Sequence, residues 1–178
     1  MRIRTYRSGD IPALVHVQQT SARFDGQKAM DEAEMAHLLQ QSMTRFGYNI
    51  FLITDDDDEL ITWGQGENLE GVEGELVGYT ILSPGKDERG YRFHCYGTVL
   101  PEHRHRGAGH ALLLCALNHA RMQSIDYIVE ARQRNLPISF EVELPAHDLS
   151  TEHLASTFEL EKTDEPAAAD FYLYRTTL

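Results

Sequence analysis

The pattern of apolar and polar positions divides the chain into short strands and amphipathic helices. Apolar and polar residues alternate over residues 2–6, which predicts a first strand. A stripe of apolar residues at helical spacing follows. Asp10 lies just before it and Pro12 lies just inside it, as is typical where a helix begins. A second stripe, with Met35 and Met43 near its two ends, predicts a helix over residues 31–43.

Strands dominate the middle of the chain. β-Branched and aromatic residues predict three of them, over residues 48–54, 75–82 and 92–100. The acidic run 55–58 favours a solvated turn, because four like charges repel one another. The glycine-rich stretch 59–74 predicts an excursion from a hairpin with a short strand of its own at 60–63, and Ser83-Pro84-Gly85 predicts a turn.

The C-terminal half begins with the strongest helical pattern, over residues 107–122. The stretch 124–134 has helical spacing, which we favour over a strand at 127–129. The remaining elements are a strand over 138–144, a helix over 150–157 and a strand over 171–176. The order β-α-α-β-β-β-α-(α)-β-α-β predicts a mixed α/β sheet, and the length predicts one domain over residues 1–178.

Composition narrows the classes of protein to consider. No run approaches the roughly 18 apolar residues of a membrane span, and the N-terminus lacks a signal-peptide pattern, so we expect a cytoplasmic protein without membrane partners. The two cysteines, Cys95 and Cys115, are too few for a disulfide framework and are predicted to be small buried thiols. A net charge of −12 argues against general nucleic-acid binding and is compatible with a cationic amine substrate.

One segment, residues 98–113, has the features of a phosphate site. It predicts a strand, an exit at Pro101, a basic stretch and then two glycines that open a helix. The first turn of a helix leaves backbone N–H groups without partners, and these attract an anion together with the helix dipole. Gly107 and Gly109 let a phosphate approach the backbone, and Arg104 and Arg106 add positive charge.

Two other phosphate-binding patterns do not fit this segment. A P-loop needs Lys-Ser or Lys-Thr after its second glycine, where this chain has His110-Ala111. A dinucleotide-binding fingerprint needs a third glycine and an early βαβ position, and neither is present. A nucleotide-binding regulator is therefore not expected.

The segment resembles the GNAT acetyltransferase family. Arg104–Gly109 is similar to that family's Arg/Gln-x-x-Gly-x-Gly/Ala signature, and Val99–Arg104 is similar to its approach from the fourth strand. Gly74–Tyr79 resembles the third strand, and Arg4–Asp10 with the following helix resembles the start. The resemblance covers about the whole chain. It implies the α/β (α+β) GNAT acyl-CoA N-acyltransferase fold, a mixed central sheet flanked by helices.

The resemblance also implies a cofactor site. Backbone amides across residues 104–109 would hold the pyrophosphate of coenzyme A, and the strand edge 98–100 would pair with pantetheine in a gap beside the strand at 138–144. A backbone N–H near Val99 or Leu100 would polarise the thioester carbonyl. The implied cofactor-binding residues are Thr98, Val99, Leu100, Arg104, His105, Arg106, Gly107, Ala108, Gly109 and His110.

Catalytic candidates follow from the same resemblance. Many members use a Tyr four residues before a Gly-Phe pair as proton donor, and here His153 takes that position before Thr157-Phe158. His94 and Tyr96 share one face of their strand and, with Glu143 on the adjoining strand, are the candidates for a general base. No metal is expected. The three histidines near the helix start point in different directions around it and lie beside arginines, which is not the arrangement of a metal site; they are His103, His105 and His110.

The expected activity is transfer of an acetyl group from acetyl-CoA to a primary amine of a small molecule or a peptide, by direct attack in a ternary complex. The alternative is a non-catalytic acyl-CoA sensor or interaction module of the same fold. In relatives, the segments that correspond to residues 21–43 and 59–74 shape the acceptor pocket, and here they give no pattern that names the acceptor. The resemblance leaves a homodimer open.

Overall fold

A computed structural model describes residues 1–44, 47–55, 74–146, 148–168 and 170–178, without the side chains of residues 43, 44, 47, 48 and 149. The helices are α1 (Ile11–Phe24), α2 (Glu32–Gln41), α3 (Ala108–Ser124), α4 (Ile128–Arg134) and α5 (Leu149–Thr157). The strands are β1 (Arg2–Thr5), β2 (Met43–Thr44), β3 (Gly47–Tyr48), β4 (Ile50–Asp55), β5 (Glu75–Asp87), β6 (Gly90–Val99), β7 (Ile138–Pro145), β8 (Glu161–Lys162) and β9 (Phe171–Thr177).

Seven strands form one mixed sheet in the order β1-β4-β5-β6-β7-β9-β8. β6 and β7 run parallel, whereas β7 and β9 are antiparallel. The mixed sheet flanked by helices that the sequence predicts is confirmed. Helix rather than strand is also confirmed within residues 124–134, but only from Ile128 to Arg134, because Ser124 ends α3 and residues 125–127 form a turn. Asn135, directly after α4, has a left-handed φ of 52°. No helix within the described ranges is both long and apolar enough to cross a membrane.

Two local predictions are wrong. The turn predicted at Ser83-Pro84-Gly85 is strand, because β5 continues to Asp87 and the hairpin turns at the next two residues. Proline is compatible with extended backbone, and the Asp87 carboxylate accepts a hydrogen bond from Arg89 N–H at 2.8 Å, which stabilises the later turn. Helix α2 ends at Gln41, so Met43 begins β2 instead of extending the helix. The predictions for residues 56–73 lie outside the described residues.

The chain divides into two compact units, and β5 and β6 contribute to both. The first unit comprises residues 1–41, 50–80 and 97–112. Its core is apolar and includes residues of α1, α2, β4, β5 and the end of β6. The fully or almost fully buried members include Leu14, Val17, Met35, Leu39, Ile50, Leu52, Val77 and Leu100.

The second unit comprises residues 42–49, 81–96 and 113–178. One face of β6 and β7 packs against helices through Phe93, Cys95, Phe140 and Val142. The prediction of a buried Cys95 is confirmed, whereas Cys115 on α3 is only half-buried. The prediction of a single domain over residues 1–178 stays a prediction.

Asp10 occupies the predicted position immediately before α1, but its side chain does not cap the helix. Its carboxylate instead accepts two hydrogen bonds from the Arg4 guanidinium, at 2.8 and 2.7 Å, and one from Arg7 N–H at 2.6 Å. Burial raises the pKa of Asp10, but these hydrogen bonds outweigh burial and bring the pKa below its ordinary value. This partly buried ion pair therefore connects β1 to the start of α1.

The Asp10 carboxylate should make stability depend on acid. A folded-state pKa below the unfolded one means that the unfolded chain binds more protons, so this stabilisation is lost as the pH falls through the folded-state pKa. We expect Asp10→Asn to lower the free energy of unfolding by roughly 1.5–3 kcal/mol at pH 7, the range for hydrogen bonds to charged groups. Urea unfolding between pH 7 and pH 3 measures this. The difference between native and variant should shrink on acidification, and a constant difference would contradict the assignment.

Candidate functional site

The exit from β6 turns sharply into α3. A short 3-10 turn, Pro101–His103, follows the strand, and α3 begins at Ala108. Between them, His105 and Gly107 have left-handed φ values of 59° and 87°. Left-handed residues alternating with ordinary ones are typical of backbone whose successive N–H groups form an anion-binding concavity. We call residues 104–109 the glycine loop.

The glycine loop is open above its backbone. The bond from Ala111 N–H to Gly107 O, at 3.0 Å, closes the first turn of α3, so the N–H groups before it lack intrahelical acceptors. A Cβ at Gly107 or Gly109 would meet no heavy atom within 4 Å among the described residues. The loop thus leaves room for a ligand to approach the start of the helix.

The Arg104 guanidinium is not directed at this opening. Its two terminal nitrogens donate to the Asp25 carboxylate at 2.7 and 2.8 Å, and Nε donates to the Val99 carbonyl at 2.9 Å. The group also lies over the Phe24 ring, 5.5 Å from its centroid. The sequence predicted that Arg104 and Arg106 both add positive charge to the loop. Asp25 compensates the charge of Arg104, whereas Arg106 is exposed, and the cofactor-binding roles of both arginines stay predictions.

The two candidate amides for polarising a carbonyl differ in the structure. Leu100 N–H donates to Val77 O at 2.8 Å and is already used within the sheet. Because successive N–H groups of a strand point to opposite edges, the Val99 N–H is directed away from β5. Of the two predicted amides, only that of Val99 faces the other edge of β6.

Gly97 precedes this strand edge and lies unusually close to β5. A Cβ at Gly97 would lie 2.4 Å from the Tyr79 carbonyl oxygen and 3.0 Å from Thr80 Cα, both of them backbone atoms. Real Cβ atoms do not approach backbone this closely, so only glycine fits here. The backbone path of Thr98–Leu100 therefore depends on a glycine, which has no side chain, at position 97.

Gly97→Ala should displace this strand edge. We expect the free energy of unfolding to fall by about 1–3 kcal/mol, as for overpacking of a filled site. Gly85→Ala is the matched control on the same hairpin, because the nearest atom to its Cβ is Arg92 O at 3.9 Å. Thermal and urea unfolding of both variants measure the effect. Equal stability of the two variants would show that the approach of β5 to Gly97 is not as close as described.

Three catalytic candidates share a surface of the second unit. The register pairs His94 with Glu141 and ends at Cys95 with Val142, although β6 continues to Val99 and β7 to Pro145. Paired residues of adjacent strands point to the same side, and alternation adds Tyr96 and Glu143 to that side. We call this surface the polar face; it also includes Arg92 and Arg175. The prediction that His94 and Tyr96 lie opposite Phe93 and Cys95 agrees with their half-buried state.

Charges on the polar face are mostly paired. Glu141, 4% exposed, accepts a hydrogen bond from Arg175 Nε at 2.8 Å, and Arg175 also binds Glu165 at 2.9 Å. Burial lowers the pKa of Arg175, but the hydrogen bonds to Glu165 and Glu141 raise it by a larger amount. The net shift of the pKa is therefore upward. Arg92 forms an ion pair with Asp87. The half-buried Glu143, by contrast, has no ion pair or hydrogen bond to a described side chain.

The predicted proton donor, His153, is exposed on α5. The buried residues of that helix, Thr151 and Ala155, lie on its other side. Its catalytic role stays a prediction. Among the three histidines near α3, His103 Nδ1 lies 3.2 Å from the Asp55 carboxylate, and His105 and His110 are exposed. The described part of the chain contains no group of three His, Cys, Asp or Glu arranged to hold a metal ion.

The residues that sequence analysis missed are those that hold the end of β6. Ser21 Oγ donates to Val99 O at 3.2 Å, and Asp25 binds Arg104. They are separated from their partners by 78 and 79 positions, so no spacing rule connects them. An acidic residue before a glycine, such as Asp25 before Gly26, occurs at many helix ends. The local sequence therefore does not indicate the contact of Asp25 with Arg104.

Comparison with known proteins decides the family. The model of the acetyltransferase (GNAT) family matches residues 27–137, which is more than half of the chain. The chain belongs to the GNAT acetyltransferase family. This membership confirms the resemblance found in the sequence and the fold that the resemblance implied. No curated protein matches this GNAT chain in sequence.

Solved structures similar to this GNAT chain include a ribosomal-protein-alanine N-acetyltransferase from Brucella melitensis, with 16% identity, a TM-score of 0.61 and 100% of both chains covered. A second is yncA from Salmonella typhimurium with its cofactor acetyl-CoA, with 14% identity, a TM-score of 0.62 and 99% of this chain and 93% of that one covered. A third is Naa50 from Arabidopsis thaliana in complex with the bisubstrate analogue CoA-Ac-MVNAL. Its identity is 14% and its TM-score is 0.61, and the match covers 99% of this chain and 98% of that one. At these identities the likeness shows the fold. The expectation of acetyl-CoA as co-substrate is confirmed for the family by the last two structures.

Proposed function

We propose that this chain is an acetyl-CoA-dependent N-acetyltransferase that acts on the primary amine of a small molecule or a peptide. The observation on which this rests is the glycine loop of a GNAT chain, with two left-handed residues and open space at both glycines where β6 leads into α3. Backbone N–H groups at a helix start bind phosphate without side-chain help. The amides of residues 104–109 would therefore hold the pyrophosphate of coenzyme A.

The edge of β6 at residues 98–100 would take the pantetheine arm of the cofactor. Of its amides, Val99 N–H is our choice for polarising the thioester carbonyl, because Leu100 N–H already donates to Val77 O. A fixed donor at this oxygen stabilises the charge that develops there during attack. Gly97 would support this function by keeping the strand path in place.

Transfer requires a neutral amine that attacks the carbonyl carbon, after which the carbon–sulfur bond breaks and the thiolate leaves. We assign Glu143 as the general base, with His94 and Tyr96 as the remaining candidates. Glu143 lies beyond the last pair of β6 and β7, and its carboxylate is not used in an ion pair with a described side chain. His153 is our candidate for protonating the departing thiolate.

Two classes of acceptor amine fit this proposal. The Arabidopsis neighbour holds a bisubstrate analogue that joins CoA to a peptide, and the Brucella neighbour is named for a ribosomal-protein alanine. These names support an N-terminal peptide amine as one class to test. The net charge of −12 is compatible with cationic small amines as the other.

The experiment is a turnover assay with acetyl-CoA and a panel of short peptides and small primary amines. Release of free CoA thiol and the mass of the acetylated product are both measured. We expect amine-dependent thiol release and a product heavier by one acetyl group. Binding of acetyl-CoA without turnover of any amine would contradict the enzyme assignment and favour a non-catalytic acyl-CoA sensor.

A further inference from the structure

Each of the three side-chain nitrogens of Arg104 donates a hydrogen bond within the protein. Its Nε binds the Val99 carbonyl at 2.9 Å, and its two terminal nitrogens bind the two Asp25 oxygens at 2.7 and 2.8 Å. The bidentate arrangement matches the planar fork of a guanidinium to a carboxylate. The side chain of the first residue of the signature is therefore a structural connector.

The connected groups belong to three different parts of the first unit. Val99 ends β6, and its carbonyl accepts a second hydrogen bond from Ser21 Oγ on α1 at 3.2 Å. Asp25 directly follows α1, and Phe24, 71% exposed, lies beneath the guanidinium. Arg104 itself begins the glycine loop. One side chain thus joins the strand edge, the end of α1 and the start of the loop.

We propose that Arg104 is a positioning residue, which holds the Val99 peptide and the glycine loop in the geometry that binds acyl-CoA by fixing both to Asp25. This inference rests on the proposed function, because it assigns a role within that same site. Arg104 would act through the backbone it orients, not through contact of its guanidinium with the phosphates.

A contrasting role predicts the opposite sign for one substitution. If Arg104 attracted the pyrophosphate by its charge, removing the Asp25 carboxylate would free that charge and also remove a repelling one, so acetyl-CoA would bind more tightly. If Arg104 positions the backbone, the same change releases one end of the connection, so acetyl-CoA would bind more weakly. Asp25→Asn therefore separates the two roles.

The test measures the Kd of acetyl-CoA by calorimetry, and KM and kcat with the best amine, for native protein, Asp25→Asn and Arg104→Lys. We expect each variant to bind acetyl-CoA about tenfold more weakly, the size of coupling typical of residues in one hydrogen-bonded network. KM for acetyl-CoA should rise while kcat at saturation changes little. Arg104→Lys keeps the charge but loses the fork, so its weakening is not explained by charge.

Glu102→Gln is the matched control, since it removes an exposed carboxylate two residues before Arg104. It should bind acetyl-CoA like the native protein. Tighter or unchanged binding by Asp25→Asn, or native binding by Arg104→Lys, overturns the positioning role and leaves the proposed function intact. If Asp25→Asn does not fold, Arg104→Lys decides alone. Absence of acetyl-CoA binding by the native protein overturns both the proposed function and this inference.

Discussion

Gly107→Asp is expected to weaken acetyl-CoA binding by the folded protein at least about a hundredfold. The aspartate would place a side chain in space that is now open above the glycine loop, and its charge would repel a pyrophosphate there. The loss of two or more charge-assisted hydrogen bonds from backbone amides to the phosphates predicts a Kd at least about a hundredfold higher. Calorimetric titration with acetyl-CoA measures this directly.

Two further variants separate charge from backbone strain at this position. Gly107→Ala adds no charge but must adopt a φ of 87°, which side chains rarely do, so its Kd should fall between those of the native protein and Gly107→Asp. Gly85→Asp adds the same charge at an exposed position outside the loop and should bind normally. Native affinity in Gly107→Asp would show that the pyrophosphate does not lie at this loop.

Glu143→Gln is expected to reduce kcat by about 10²–10⁴, the contribution typical of general base catalysis. The amide preserves the shape of the side chain but cannot accept the proton of the attacking amine. KM for acetyl-CoA should stay near its native value, because Glu143 has no role in the proposed cofactor site. Steady-state kinetics at saturating acetyl-CoA and varied amine measure both parameters.

The same assay on His94→Gln and His153→Ala tests the other assignments. His94 pairs with Glu141, two residues before Glu143 on β7, so it lies further from the end of the paired region and its substitution should cost less in kcat. A large loss in His94→Gln with near-native kcat in Glu143→Gln would transfer the base to His94. A kcat loss in His153→Ala that disappears with a more acidic leaving thiol would support proton donation by His153.

Local patterns predicted the elements that position the site. β6, the glycine loop and α3 are consecutive in the chain, and strand alternation, two glycines and an apolar helical stripe are each visible within a few residues. The same is true of β7, whose alternation predicted its bounds within one residue. Sequence was sufficient here because the interactions that determine these elements are short in range.

Interactions that local patterns do not reveal explain the features that the sequence did not predict. Pro84-Gly85 is a typical turn dipeptide, but pairing within the sheet continues through it and the hairpin turns later. Asp10 occupies the position of a helix cap, yet its carboxylate binds Arg4, six positions earlier on β1. The ion pair of Arg104 with Asp25 was not predicted, because the two residues lie 79 positions apart.

Titration of the native protein with acetyl-CoA and with S-acetylpantetheine tests the central claim most directly. The second compound has the thioester and pantetheine but lacks the pyrophosphate and nucleotide. If the glycine loop holds the pyrophosphate, acetyl-CoA should bind at least about a hundredfold more tightly than S-acetylpantetheine, as expected for several charge-assisted hydrogen bonds. Equal affinity for the two compounds, or no binding of acetyl-CoA by the folded protein, would contradict the account.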